Sequence, residues 1–457
     1  MGMVPWPTIW SRCCAPEWAE DAVRGVGALE APDFKKRPDS ALPMRFFALG
    51  LVGLLLLNAG MALAPRAVRW PLPPHGILLL HLTVLGWITP VMMGADYQLI
   101  PVVLHRPLRS QRVAGFVLWL YAAGVAVFLF GWAIGRPLLV AAGGTLAGCA
   151  LLLFCVHAGS ALVRVERWGP TALGLGGGIG FLALTGVAGP YMAISIDGAM
   201  PAGAFATFRA VHAAAGLSGW LLLTIMGATY ELLPFFAATG PGVRPRFGTA
   251  AVACTAAGTL LLLVSGIDPA VSPAAGLVVV GSGVAGWIHD LIRLAHHGRQ
   301  ARREPVVRYS LAAALAIGVG GGVAASAWGA NSLRLAMAGA VLGLLAGPSL
   351  LILGQLQKIL PFLAALDAAL AAKRQGRVPK TEALFPRERA FAILWALAPG
   401  FAAEIAGVAT ASMPVLRIGA LVTFTAAAVH AVQQARSLAV WRAVRYAPLS
   451  YTGRASK

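Results

Sequence analysis

The sequence has few charged residues and very few acidic ones. Only 12% of its 457 residues are charged, and 17 Asp and Glu stand against 36 Lys and Arg, while 58% are hydrophobic. Soluble domains carry about 25% charged residues. The composition therefore excludes an ordinary soluble domain.

Cysteines and catalytic motifs are also scarce. Three of the five cysteines, Cys149, Cys155 and Cys254, lie in apolar segments, and Cys13 and Cys14 lie near the N terminus. This pattern predicts neither a disulfide framework nor a zinc site. The sequence also contains no Gly-rich phosphate loop, no nucleophile elbow and no His-Glu-x-x-His motif, which argues against the enzyme classes that depend on them.

Long apolar runs dominate what is present. They are about 20 residues long, enough to cross a hydrocarbon core of roughly 30 Å, and they are continuously apolar rather than alternating. The sequence therefore predicts an all-α membrane protein with twelve transmembrane helices. The predicted helix starts lie near Met44, Gly76, Val113, Leu138, Pro170, Phe208, Phe247, Ala270, Tyr309, Ser332, Arg389 and Val415.

The net charge of +19 is distributed unevenly along the chain. The even-numbered loops and the C-terminal tail hold 23 Lys and Arg, whereas the odd-numbered loops hold six. The positive-inside rule then places both termini and the even-numbered loops in the cytoplasm. The basic excess reports topology and contact with the lipid bilayer, and no nucleic-acid partner is predicted.

One pattern occurs three times, at residues 94–101, 227–234 and 354–361. The copies read Gly-Ala-Asp-Tyr-Gln-Leu-Ile-Pro, Gly-Ala-Thr-Tyr-Glu-Leu-Leu-Pro and Gly-Gln-Leu-Gln-Lys-Ile-Leu-Pro, and their glycines are 133 and 127 residues apart. A Gly-Trp pair precedes the first two copies, and Ala346-Gly347 precedes the third. A near-constant period with matched offsets indicates triplication of one unit.

The period predicts three four-helix units about a pseudo-threefold axis, with the motif at the cytoplasmic ends of the second, sixth and tenth helices. The fourth helix of each unit carries one histidine near its cytoplasmic end: His157, His289 and His430. We interpret these three as separate structural histidines at helix termini. The predicted domains are a tail or a misassigned start at residues 1–43, a membrane domain at 44–445 with units at about 44–165, 170–297 and 308–445, and a cytoplasmic tail at 446–457.

The strings His81-Leu-Thr-Val-Leu-Gly-Trp, Gly94-Ala-Asp-Tyr-Gln-Leu-Ile-Pro and Gly354-Gln-Leu-Gln-Lys-Ile-Leu-Pro resemble a family of bacterial membrane proteins. These are described as like subunit I of the haem-copper oxidases and are distantly related to NnrS-type proteins. The resemblance implies the oxidase subunit I fold and a location in the bacterial cytoplasmic membrane. In the oxidases, the seventh helix supplies an adjacent histidine pair and the tenth a His-x-His pair. Both helices lack histidine here, so oxygen or nitric oxide reduction is not expected and enzymatic activity is doubtful.

Two histidines, His81 and His212, lie in the predicted outer half of the membrane. They precede the motif glycines by 13 and 15 residues, and the resemblance matches His81 to a low-spin haem ligand. Neutral imidazole is a ligand for iron and copper, so the functional interpretation is that both bind one haem or one copper ion. The alternative is neutral packing with hydrogen bonds to neighbouring helices, and His75 is a further candidate ligand at the outer surface.

Five other intramembrane polar residues are candidate functional groups: Asp96, Gln98, Glu231, Lys358 and Glu404. Gln98, Glu231 and Lys358 share one register, three residues before the motif proline, and we expect Glu231 and Lys358 to pair because an unpaired buried charge is costly. The alternative for Lys358 is snorkelling to the interface.

The two remaining acids have candidate neighbours in other helices and loops. Asp96 is expected to accept a hydrogen bond from Tyr230, and Glu404 is expected to face His81 or Arg69. Local hydrogen bonds to adjacent helices are the alternative for both acids.

The sequence thus predicts a degenerate relative of the haem-copper proteins that binds one haem or copper in a respiratory, redox-sensing or assembly role, with partners of that kind. The alternatives are a proton-coupled transporter that uses Glu231, Lys358 and Asp96, and a scaffold subunit without a cofactor.

Overall fold

The computed structural model describes residues 39–66, 75–103, 107–163, 165–196, 198, 200–237, 243–372 and 384–445. This part of the chain is helical without strands, and twelve of its helices are long and apolar enough to cross a membrane. They are α1 Ala41–Leu63, α2 His75–Val103, α3 Gln111–Ala133, α4 Pro137–Leu162, α5 Pro170–Ile194, α6 Ala202–Ala237, α7 Gly248–Ile267, α8 Pro273–His296, α9 Pro305–Ala327, α10 Leu333–Ala365, α11 Arg387–Ala409 and α12 Met413–Ala439. A polytopic helical membrane protein is thereby confirmed.

The helix ends differ from the predicted ones at several points. The first helix begins at Ala41, before Met44, and most of the predicted N-terminal tail and all of the C-terminal tail lie outside the described residues. Beyond its membrane span, α10 stays helical to Ala372. A short helix, Gly298–Arg303, lies between α8 and α9.

The motif lies at the end of two helices and inside the third. Pro101 and Pro234 lie in the last turns of α2 and α6, which end at Val103 and Ala237 as described, so the predicted position is confirmed there. In α10 the helix continues past Pro361 to Ala372, so the expectation that the motif ends this helix was wrong. A proline removes one backbone hydrogen bond, and neighbouring helices in a bundle make that loss tolerable. We call the side of the molecule that carries these prolines the motif face, and the opposite side the far face.

The central helices α2, α6 and α10 share a feature that the sequence did not predict. Each contains a π-helical segment just before its motif, at Leu82–Ile88, Ala215–Leu222 and Val341–Ala346. A π segment inserts one residue into a helix and rotates the faces that follow it, and such segments are frequent at functional sites.

Helix packing recurs every four helices. The first and second helices of each predicted unit pack together (α1 with α2, α5 with α6, α9 with α10), as do the third and fourth (α3 with α4, α7 with α8, α11 with α12). Successive units join through α4 with α5 and α8 with α9, and α12 packs back on α1. The described helices therefore form a closed ring. Large apolar side chains, among them Leu138, Val163 and Trp395, are exposed on its outside, as contact with lipid requires.

The motif glycines lie where the first and second helices of each unit touch. A Cβ atom on Gly94 would be 2.7 Å from the Cβ of Phe46, one on Gly227 would be 2.9 Å from the Cα of Gly174, and one on Gly354 would overlap Tyr309. The space for a larger side chain is absent at all three positions. Close helix packing through small residues is therefore the physical reason for the repeated glycine.

Indole hydrogen bonds link the three central helices. Trp87 Nε1 donates to Ser349 Oγ at 2.9 Å, which joins α2 to α10, and Trp220 Nε1 donates to Thr89 Oγ1 at 3.3 Å, which joins α6 to α2. Each bond runs from the position seven residues before one motif glycine to the position five residues before another, from the first copy to the third and from the second copy to the first. At the third junction these positions hold Gly347 and Leu222, which have neither the donor nor the acceptor.

Candidate functional site

His81 of α2 and His212 of α6 lie next to each other in the half of the molecule nearer the far face. Their ring centroids are 6.4 Å apart and the ring planes differ by 32°. Both side chains are partly buried. His81 directly precedes the first π-helical segment, and His212 lies three residues before the second.

Neighbouring groups hold each ring in place. His81 Nδ1 donates to the Ile77 carbonyl at 2.9 Å, so this nitrogen carries the proton and Nε2 is left for another partner. The ring also packs edge to face with Phe128, and the two ring centroids are 5.1 Å apart. His212 lies against Gly189, where a Cβ would come within 2.9 Å of its Cε1, so the missing side chain makes room for the imidazole.

The histidine pair offers two nitrogens that could bind a metal. His212 Nδ1 is buried and has no hydrogen-bond partner among the described residues, and His81 Nε2 is the nitrogen not used by Ile77. Two imidazoles on opposite sides of one ion would have ring centroids roughly 6 Å apart, given metal–nitrogen bonds of about 2.0–2.1 Å. The observed spacing fits this arrangement. Within the described ranges, no group of three or more His, Cys, Asp or Glu could hold a metal.

A second candidate region is a cavity near the motif face. It lies between α2, α6 and α10, with Phe47 of α1 beside it, and has an internal volume of about 70 Å³. The polar residues on its wall are Gln98 and Glu231, two of the three residues at the shared motif register.

Lys358, the third residue at that register, binds elsewhere. Its Nζ forms an ion pair with Glu304 at 2.6 Å, and Arg387 binds the other oxygen of the same carboxylate at 2.8 Å. The predicted pair between Glu231 and Lys358 was therefore wrong. Glu231 instead accepts a hydrogen bond from Thr171 at 3.5 Å.

Sequence reasoning missed Glu304, which is only 2% exposed. It precedes α9 directly and joins the starts of α9 and α11 to α10 through its two cations. The available signal was its position, because it is a single acid between two arginines and the proline that opens a helix.

Asp96 does not bind Tyr230, so that prediction was also wrong. The Tyr230 hydroxyl donates to Asp290 Oδ2 at 3.2 Å. The Asp290 carboxylate also accepts the backbone N–H groups of residues 246–248 at the start of α7. Asp96 is fully buried, and neither of its oxygens has a hydrogen-bond partner in the described part of the chain.

Glu404 lies on α11 against α12, where it is fully buried. Its backbone contacts the position of Gly419, and its carboxylate is beside Thr423. No hydrogen bond or ion pair joins it to His81, and the alternative neighbour, Arg69, lies outside the described residues.

The three helix-end histidines have separate partners. His157 Nδ1 is 3.4 Å from the Tyr97 hydroxyl, His430 Nε2 is 3.2 Å from the Leu353 carbonyl, and the His289 ring packs on Phe247. They form no group that could hold a metal. The three histidines are therefore separate from one another, as the sequence predicts.

Comparisons with known proteins identify no family for this chain. No protein-family model matches the chain, and no curated protein matches it.

Proposed function

We propose that this integral membrane protein is a degenerate relative of subunit I of the haem-copper oxidases and binds one copper or haem iron through His81 and His212. The observation that carries the proposal is the approach of the two imidazoles to 6.4 Å, from helices that belong to different repeat units. Such a metal serves a respiratory, redox-sensing or assembly function, because it supplies one-electron transfer when bound.

The ring of helices supports the fold part of this proposal. Packing that recurs every four helices, and π-helical segments at matching places in α2, α6 and α10, favour three units about a pseudo-threefold axis. The resemblance in the motif strings points to the same architecture. The resemblance implies the bacterial cytoplasmic membrane, and the distribution of basic residues supports an orientation with both termini and the motif face in the cytoplasm.

The chain's own residues determine what the metal site can do. The Ile77 carbonyl fixes the tautomer of His81, as second-shell groups commonly do for ligating imidazoles. Phe128 shields one side of the ring from water. Because α7 and α10 contain no histidine, oxygen or nitric oxide reduction by the oxidase mechanism is not part of the proposal.

An absorption spectrum with metal analysis tests the proposal. The purified protein is measured oxidised and dithionite-reduced, and copper and iron are quantified on the same sample. We expect close to one metal per chain, lost in His81→Ala and in His212→Ala. A Soret band identifies haem, and bound copper without that band identifies a copper ion.

His296→Ala is the matched control, since His296 is an exposed histidine at the motif-face end of α8. This variant should keep the full metal content. A folded wild-type protein without metal, or equal metal loss in all three variants, would refute the histidine site.

A proton-coupled transporter is the second candidate, and the cavity beside Glu231 is the observation that favours it. Glu231→Gln should abolish transport in such a protein while leaving metal content unchanged. A folded, metal-free protein that is insensitive to this substitution would be a scaffold subunit.

A further inference from the structure

The connection between α8 and α9 is strongly basic. Residues 293–308, which we call the basic connection, include five arginines and a single acid, Glu304. One membrane span ends at His296 and the next begins at Pro305, so this part of the chain lies at the membrane surface. Four of its arginines have described side chains, and all four are exposed: Arg293, Arg302, Arg303 and Arg308.

The positive charge of the basic connection is not neutralised by nearby acids. Glu304 is only 2% exposed, and its carboxylate is bound by Lys358 and Arg387. Asp290, the acid of α8, is buried and accepts the backbone N–H groups of residues 246–248. None of the four exposed arginines forms an ion pair with a described residue. Their charge is therefore available to an anion from outside the chain.

Backbone carbonyls hold two of the guanidinium groups in place. Arg302 Nη2 donates to the His296 carbonyl at 3.4 Å, and Arg308 Nη2 donates to the Arg302 carbonyl at 3.3 Å. A guanidinium group has five N–H donors, and each of these bonds uses one nitrogen. The remaining donors can bind phosphate oxygens, for which the planar guanidinium group is well suited.

An exposed apolar surface leads from the membrane interior to the basic connection. The helices α8 and α9 touch at Gly318, where a Cβ would lie 2.9 Å from Cδ1 of Ile288. One turn nearer the motif face, Ile292 of α8 is 39% exposed and Leu315 of α9 is 42% exposed. Residues three or four apart share a helix face, so both side chains flank the contact between the two helices. Arg308 lies seven residues before Leu315 on the same face of α9, so the apolar surface ends at a cation.

The corresponding connection between the first and second units has a different charge. Residues 163–169, between α4 and α5, hold two arginines and one glutamate, whereas residues 293–308 hold five arginines and one glutamate. Glu166 is exposed next to Arg167. The high charge is therefore a property of the junction between α8 and α9, and the repeat alone does not account for it.

We propose that α8, α9 and the basic connection bind an anionic phospholipid. Arg302 and Arg308 bind its phosphate group, and its acyl chains lie against Ile292 and Leu315. An exposed hydrocarbon surface that ends in uncompensated arginines matches a lipid with a net negative headgroup, and basic residues at the membrane surface attract such lipids. The site lies on the outside of the ring, so the proposal does not depend on metal binding by the histidine pair.

Native mass spectrometry of detergent-purified protein with added phosphatidylglycerol tests the binding, and phosphatidylcholine is the zwitterionic comparison. The wild type should bind phosphatidylglycerol more tightly. Arg302→Gln combined with Arg308→Gln should weaken that binding roughly thirtyfold, because each basic residue near an anionic headgroup contributes about fivefold. Arg302→Lys combined with Arg308→Lys keeps both charges and should retain most of the affinity, which separates loss of charge from loss of the fold.

Arg136→Gln combined with Arg334→Gln is the matched control. Both arginines are exposed near the far face, and their replacement removes the same charge, so phosphatidylglycerol binding should be unchanged. Equal wild-type affinity for the two lipids, or equal weakening in both glutamine pairs, would overturn the proposal. Glycerol phosphate at the concentration of the lipid should not compete, because it has no acyl chains. Competition by it would assign the arginines to a soluble phosphate and would also overturn the proposal.

Discussion

Replacing Gly174 by alanine should separate α5 from α6. A Cβ at this position would lie 2.6 Å from both the Gly227 Cα and the Leu223 carbonyl oxygen, whereas ordinary contact begins near 3.4 Å. Both obstacles are backbone atoms, so no side-chain rotation relieves the overlap and the helices must move apart by roughly 0.8 Å. Overpacking of this kind costs about 1–3 kcal/mol. We expect Gly174→Ala to lower the free energy of unfolding by about that amount.

Gly180→Ala on the same helix is the matched control. Gly180 is exposed, and a Cβ there would meet nothing within 4 Å. The same change should be neutral or stabilising by up to about 1 kcal/mol, because alanine favours a helix over glycine. Reversible unfolding by SDS in mixed micelles measures both variants. Equal shifts for the two, or a stabilised Gly174→Ala, would refute the argument that backbone contact determines the glycine.

Three further predictions use the same unfolding assay. Glu304→Gln should lower the free energy of unfolding by about 2–3 kcal/mol. This is less than the roughly 3–5 kcal/mol lost when a wholly buried pair is broken, because Lys358 is 22% exposed and can reach water. No change would mean that the carboxylate does not anchor α10. Trp87→Phe and Ser349→Ala should show a coupling of about 0.5–1.5 kcal/mol in a double-mutant cycle, and additive effects would contradict the hydrogen bond. Asp290→Ala should cost about 2 kcal/mol, because it leaves one buried and two partly buried N–H donors without an acceptor, and a neutral effect would contradict the capping of α7.

The helices could be predicted from the sequence because each is a long apolar run between charged or turn-forming residues. The repeated glycine was also visible in the sequence, but its role in the contact between the first and second helices of each predicted unit appears only in the structure. The π-helical segments were not predictable, since one extra residue in a helix leaves no mark in composition. Pro361 led to a wrong prediction of the end of α10, because packing keeps this helix intact beyond a residue that usually ends one.

The candidate site was predictable only in part. Counting from the motif glycines placed His81 and His212 in the same half of the membrane, but the distance between their rings depends on the packing of α2 and α6. Lys358 shows that a shared position in the motif does not predict which residue a side chain binds. It shares its position with Glu231, yet its side chain reaches Glu304 at the start of another helix, and a partner 54 residues earlier in the chain carries no local signal.

The three junctions around the centre of the ring are chemically unequal. Opening the ring between α2 and α10, or between α2 and α6, breaks a buried indole hydrogen bond. Opening it between α6 and α10 breaks no such bond, because Gly347 and Leu222 stand where the tryptophan and the hydroxyl would be. The ring therefore has one junction without this bond, and this junction leads along α6 and α10 to the cavity near the motif face.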